Sequence, residues 1–166
     1  MNSEVRNKKL NVYTPEILDI ELVIVDKRIG TQFDLPSKRL GDAGVDLRAM
    51  CEDSVAIAPG STYRFSTGIK MHIRNPDYFL AIYPRSGLGM KGIILSNSTG
   101  IIDSNYTGTI QLDLYNRSKE FIRINPGDRV AQGVLQRVIH PVFKIVDDFT
   151  DYSDRGEDGF GSSGIR

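Results

Sequence analysis

The sequence predicts an all-β domain of jelly-roll type, a β-sandwich or barrel, and two observations lead there. Apolar residues recur at every second position: Ile69, Met71 and Ile73 against Lys70, His72 and Arg74, then Ile110, Leu112 and Leu114 against Gln111, Asp113 and Tyr115. A period of two sends alternate side chains to opposite faces, the signature of a strand with one buried face. Turn-forming pairs fall between such runs at Pro59-Gly60, Asn75-Pro76 and Pro126-Gly127, spaced as in an antiparallel sandwich or barrel. No stretch carries the period of a long amphipathic helix.

At 166 residues the chain suits one domain large enough to bury its own core. Residues 1–17 are polar and charged and read as an N-terminal extension. Residues 18–150 form the β domain, and 151–166 a flexible tail. The N-terminal run lacks the apolar centre of a signal peptide, and nothing downstream is apolar for long enough to span a membrane. A cytoplasmic protein with no membrane partner is expected. Lys and Arg total 21 and so do Asp and Glu, so no overall field draws in nucleic acid and any anionic ligand needs a local site. Cys51 is the single cysteine. It excludes an intrachain disulfide and reads as a small buried residue.

Five stretches carry chemistry-bearing residues. "DAGVDLRA" (42–49) reads as a tight turn entering a strand and contains Asp46. "YPRSGLGMKG" (83–92) combines Arg85, Ser86 and Gly87 with two further glycines. Glycine lets backbone N–H groups approach an anion, while the guanidinium and hydroxyl add donors. No Gly-Lys-Ser/Thr ending and no following helix is expected, so a P-loop is not supported. In "GIIDSNYTG" (100–108), Asp103 follows Ile102, either at the rim of an apolar pocket or in a hairpin turn whose strain Gly108 relieves. "PGDRVAQ" (126–132) is a second turn into a strand and ends on Gln132. The tail holds Arg155, Phe160 between glycines, Gly161 and Ser162. Those residues suit either a lid over a nucleotide or a solubilising tail.

In this order and spacing, the five stretches closely resemble the five motifs of the trimeric deoxyuridine triphosphatases, and the likeness runs from about Leu18 to the last residue. The resemblance implies a homotrimer of jelly-roll subunits with active sites at subunit boundaries. It implies conversion of dUTP to dUMP and pyrophosphate with Mg²⁺, which limits uracil in DNA and supplies dUMP for thymidylate synthesis. Asp103 would activate the attacking water, and Arg85 would hold that carboxylate and help neutralise phosphate. Ser86, Gly87 and Gln132 would contact the phosphate chain. Asp46 would reach the metal through water or anchor its own loop, with Mg²⁺ held mainly by the substrate's phosphates. Asn97, with the backbone around Ile101, Ile102 and Gln111, would read uracil, and Tyr106 would pack where a ribose 2′-hydroxyl would lie. Arg155 would clamp the γ-phosphate, Phe160 stack on the base, and Gly161 and Ser162 help close the lid. Asn105 stands where the family usually has aspartate, and Asp158 where its tail usually has glycine. The rival readings are a related dCTP deaminase, against which Asn97 and the acid followed by Tyr106 argue, and a protein-binding regulator using the N-terminal extension.

Overall fold

The computed structural model describes residues 16–37, 39–149 and 151. Among them run β1 (Glu21–Ile24), β2 (Val45–Arg48), β3 (Val55–Ile57), β4 (Thr62–His72), β5 (Tyr78–Pro84), α1 (Ser86–Lys91), β6 (Ile93–Leu95), β7 (Gly100–Ile102), β8 (Thr109–Asn116), β9 (Ile122–Ile124) and β10 (Arg129–Arg137). Two four-stranded sheets, ordered β1-β4-β8-β6 and β2-β10-β5-β7, are joined by a small β3-β9 pair. The expected all-β architecture is the observed one.

The period of two accounts for the core. β8 buries Ile110, Leu112, Leu114 and Asn116 and turns Gln111, Asp113 and Tyr115 outward. Phe65, Ile69 and Met71 of β4 and Leu47, Leu80, Ile82 and Val130 of the other sheet complete the cluster, each worth about 1.5–3 kcal/mol of apolar burial. Asn116 is, with Thr67, a buried polar residue in this core. Its amide donates to the carbonyls of Ile57 and Glu120 at 2.8 and 2.7 Å and its oxygen accepts from Ser118. It thereby ties the end of β8 to the β3-β9 pair.

The alternation breaks within β4. The β4–β8 register shifts between Ser66 and Lys70, with Gly68 inside the shift at φ 70°. The Gly68 carbonyl accepts the N–H groups of Val25 and Asp26 at 2.8 and 3.0 Å. A Cβ there would lie 2.8 Å from Cβ of Asp26 and 2.9 Å from Cγ of Met50. Gly68→Ala therefore combines left-handed backbone with overpacking and is expected to cost about 2 kcal/mol. The check is a lower urea midpoint at fixed protein concentration, with the slope of the transition unchanged.

Three local expectations need correction. Cys51 is half-buried at the margin of the core, where burial pushes its thiol pKa up. "GIIDSNYTG" closes no hairpin, because β7 pairs with β5 whereas β8 pairs with β4 and β6; residues 103–108 cross from one sheet to the other. The glycine-rich stretch after β5 is wound into the helix α1. Glu16, inside the expected extension, is docked on the body: its carboxylate accepts from the Tyr78 hydroxyl and, at 2.6 Å, from the Arg137 guanidinium. At the other end, residues 138–149 leave the sheet without forming a strand, and Ile139, Val142, Phe143 and Ile145 are exposed.

Candidate active site

The position of β10 builds a large cavity among the described residues. β10 pairs with β2 on one side and β5 on the other, so that Gln132 stands opposite both Asp46 and Tyr83 and Ala131 opposite Pro84. Three stretches far apart in sequence thus become neighbours. A register shift between Arg129 and Ala131 matters as well. Residues three apart on a regular strand face opposite sides, and the bulge lets Arg129 and Gln132 line the same cavity. The cavity measures about 720 Å³ and its wall includes Asp46, Arg85, Ser86 and Gln132.

An ion network occupies that wall. Asp46 Oδ1 forms an ion pair with Nε of Arg85 at 2.9 Å, and Oδ2 accepts from a terminal nitrogen of Arg129 at 3.1 Å. Arg85 also donates to the Arg129 carbonyl at 3.3 Å, and the Gln132 amide to the Pro84 carbonyl at 3.2 Å. Nearby, Arg48 lies over the Phe33 ring, donates to the Gly127 carbonyl at 2.9 Å and pairs with Asp34 at 3.2 Å. The structure therefore gives Arg85 a carboxylate partner in Asp46, whereas the sequence-based expectation was Asp103.

Arg85 is the N-cap of α1, extended at φ −83° and ψ 141° and without a side-chain cap bond. Ser86 and Gly87 follow in the first turn, whose N–H groups have no partner within a helix. Ser86 lines the cavity; Gly87 is exposed beside it, outside the lining.

The smaller cavity, about 140 Å³, shares no lining residue with the first. Asn97, Ile101, Ile102 and Gln111 line it together with Arg64 and Asp113. Asp103 lies just past Ile102 and is exposed in the single chain; the half-buried position expected for it is not what one chain provides. Its carbonyl accepts the Tyr106 N–H at 3.1 Å, and the Tyr106 hydroxyl donates to the Thr109 carbonyl at 3.0 Å. Gly108 has a steric reason rather than a strained turn: a Cβ there would meet the Tyr106 hydroxyl at 2.5 Å. Arg155, Phe160, Gly161 and Ser162 lie outside the described residues.

Reasoning from the sequence overlooked Arg129, Arg48, Arg64 and Asp113. Arg129 had a signal, being inside "PGDRVAQ". Arg48 had the same signal, being inside "DAGVDLRA", whereas Arg64 and Asp113 depend on partners that only the fold supplies. Among the described residues there is no group of three or more His, Cys, Asp or Glu side chains placed to hold a metal, and no helix is long and apolar enough to cross a membrane.

A family model described as dUTPase matches residues 32–164. The chain belongs to the dUTPase family. Membership makes it a hydrolase of nucleotide metabolism, a dUTP diphosphatase. The deoxyuridine 5′-triphosphate nucleotidohydrolase of Shewanella sp. (strain W3-18-1) is 50% identical over 149 residues, covering 89% of this chain and 97% of that protein. The protein of the same name from Enterobacter sp. (strain 638) is 47% identical over 147 residues, covering 87% and 96%. Among solved dUTPase structures, a mutant of the Staphylococcus bacteriophage 80alpha enzyme with dUpNHpp superposes with a TM-score of 0.75 at 25% identity, covering 89% of this chain and 99% of that one.

Proposed function

We propose that this chain hydrolyses dUTP to dUMP and pyrophosphate, with Asp103 activating the water that attacks the α-phosphorus. One observation carries the reading: the chain presents two chemically distinct cavities, and Asp103 leaves the smaller one. The larger, at about 720 Å³, falls in the range of about 300–1,000 Å³ typical of ligand sites, and its wall carries arginines, hydroxyls and an amide together with the carboxylates of Asp34, Asp42 and Asp46. The smaller, at about 140 Å³, suits a single ring and has an amide at its rim. The two share no lining residue, and by resemblance to the family the phosphate cavity of one copy is completed by the base cavity of another. A homotrimer with shared sites provides that arrangement. The exposed apolar side chains of Ile139, Val142, Phe143 and Ile145 are surface of the kind that association covers.

In this scheme the water proton passes to a carboxylate oxygen of Asp103 as the water oxygen bonds to the α-phosphorus. The bond to the bridging oxygen breaks, and pyrophosphate leaves. Positioning and electrostatics supply most of the rate in such a transfer. Arg85 and Arg129, held by Asp46, present fixed positive charge; Ser86 and Gly87 donate to phosphate oxygens, and Gln132 reaches the same region. By resemblance, Arg155, Phe160, Gly161 and Ser162 close over the nucleotide. Mg²⁺ fits as a passenger of the substrate. Both oxygens of Asp46 are engaged by guanidiniums, and the ion keeps waters while taking phosphate oxygens as ligands. Bound there, it neutralises phosphate charge. Of the two roles open to Asp46, anchoring is the one with partners in the fold, and it leaves room for contact with the ion through water.

Asn97 offers a donor and an acceptor to the uracil edge, and cytosine reverses that pattern, leaving polar groups unpaired. Tyr106, its hydroxyl tied to Thr109, holds its ring where a ribose 2′-hydroxyl would lie. The test is pyrophosphate release with Mg²⁺ from dUTP, dCTP, dTTP and UTP, with products identified. Release from dUTP alone, yielding dUMP and suppressed by chelator, is the expected result. Conversion of dCTP, or binding of dUTP without turnover, would overturn it.

A further inference from the structure

The small cavity has a charged wall that none of the five motifs includes. Arg64 of β4 stands directly opposite Asp113 of β8 in the strand register. Its Nε donates to Oδ1 of Asp113 at 2.7 Å and a terminal nitrogen to Oδ2 at 2.8 Å, a bidentate fork. Both side chains line the cavity that also holds Asn97 and Gln111. The backbone fixes this wall relative to Asn97, because the Asp113 carbonyl accepts the N–H of Ser96 at 2.8 Å, one residue before it.

A carboxylate only accepts hydrogen bonds, and a guanidinium only donates them through five N–H groups. An uncovered Asp113 would attract a ring bearing an exocyclic amine and repel a ring carbonyl. With Arg64 across both oxygens the acceptors are occupied, and the three N–H groups of Arg64 outside the fork offer donors instead. Hydrogen bonding from Arg64 also holds the Asp113 carboxyl below the usual carboxylate range, so the pair stays ionised at neutral pH. The fold has little need of it: Arg64 is 70% exposed, and exposed pairs contribute little to stability.

We propose that the Arg64–Asp113 pair is a specificity determinant of the base pocket, in which Arg64 masks the acceptors of Asp113 so that a 4-carbonyl pyrimidine is admitted and a 4-amino pyrimidine refused. The proposal rests on reading the small cavity as the base site.

The experiment compares the full-length protein with Arg64→Met, Arg64→Lys and the double variant Arg64→Met with Asp113→Leu. It measures kcat/KM on dUTP and dCTP and, by calorimetry, binding of dUMP and dCMP. Arg64→Met should lower the dUTP-over-dCTP preference by about tenfold or more, chiefly through tighter dCMP binding and a lower KM for dCTP. Arg64→Lys, covering one oxygen, should fall between it and the parent, and carries the test if Arg64→Met fails to fold. The double variant should return most of the preference. Folded Arg64→Met and Arg64→Lys proteins with the parent's preference would overturn the proposal while leaving the dUTPase reading intact. A parent with no preference for uracil over cytosine would overturn both.

Discussion

Asp103→Asn is expected to lower kcat on dUTP by about 10²–10⁴-fold, the usual contribution of a positioned general base, while nucleotide affinity changes little. The amide matches the carboxylate in size and shape but cannot take the water proton. The loop survives the change, because the contact that shapes it, from the Tyr106 N–H to the Asp103 carbonyl at 3.1 Å, is made by the backbone. An exposed side chain can also lose its charge without leaving a buried group unpaired. Single-turnover pyrophosphate release measures the chemical step, and calorimetry with a non-hydrolysable dUTP analogue measures binding. Normal turnover by the variant would remove Asp103 from the role of base. Lost binding with an intact chemical step would make it a binding residue instead.

Gly127→Ala should destabilise the fold by about 3 kcal/mol, combining a left-handed backbone with a severe clash. Gly127 has φ 79°, and a Cβ there would fall 2.2, 2.4 and 2.5 Å from three atoms of the Phe33 ring. Phe33 cannot move alone, since Arg48 lies over its ring and holds the Gly127 carbonyl at 2.9 Å. Arg48 is part of the wall of the larger cavity, the proposed phosphate site, so a higher KM for dUTP should accompany the stability loss. The measurements are the urea midpoint at fixed protein concentration and steady-state kinetics. An unchanged midpoint would mean that Phe33 swings aside at no cost, and that the packing around Arg48 is looser than the distances imply.

Much of the fold was legible because strand burial has a period of two. Ile110, Leu112 and Leu114 could be placed on an inner face from their spacing alone, and Gly60 and Gly127 take the positive φ that their turn pairs call for. The failures have two causes. Nothing in "GIIDSNYTG" says that β7 joins the sheet of β5 while β8 joins that of β4, because alternation specifies a face and leaves the neighbouring strand open. Winding of Ser86–Lys91 into α1 was missed for a different reason. Its glycines weaken helix propensity, and tertiary context overrode that weak local preference.

The candidate site divides in the same way. Arg85, Asn97, Asp103 and Gln132 could be named because the order and spacing of the motifs resemble those of the family, which is a property of the linear sequence. Their partners are not local. Asp46 comes to lie between Arg85 and Arg129 because β10 runs between β2 and β5, and Arg64 meets Asp113 because β4 and β8 pair in one register of several conceivable ones. The sequence by itself determined the all-β class, the turns and the identity of the motif residues, because side-chain alternation and glycine conformation act over a few residues. Only the tertiary structure decided which charges neutralise one another and that the candidate residues divide between separate cavities of one chain, because those outcomes depend on strand order and register, set by the packing of the whole core.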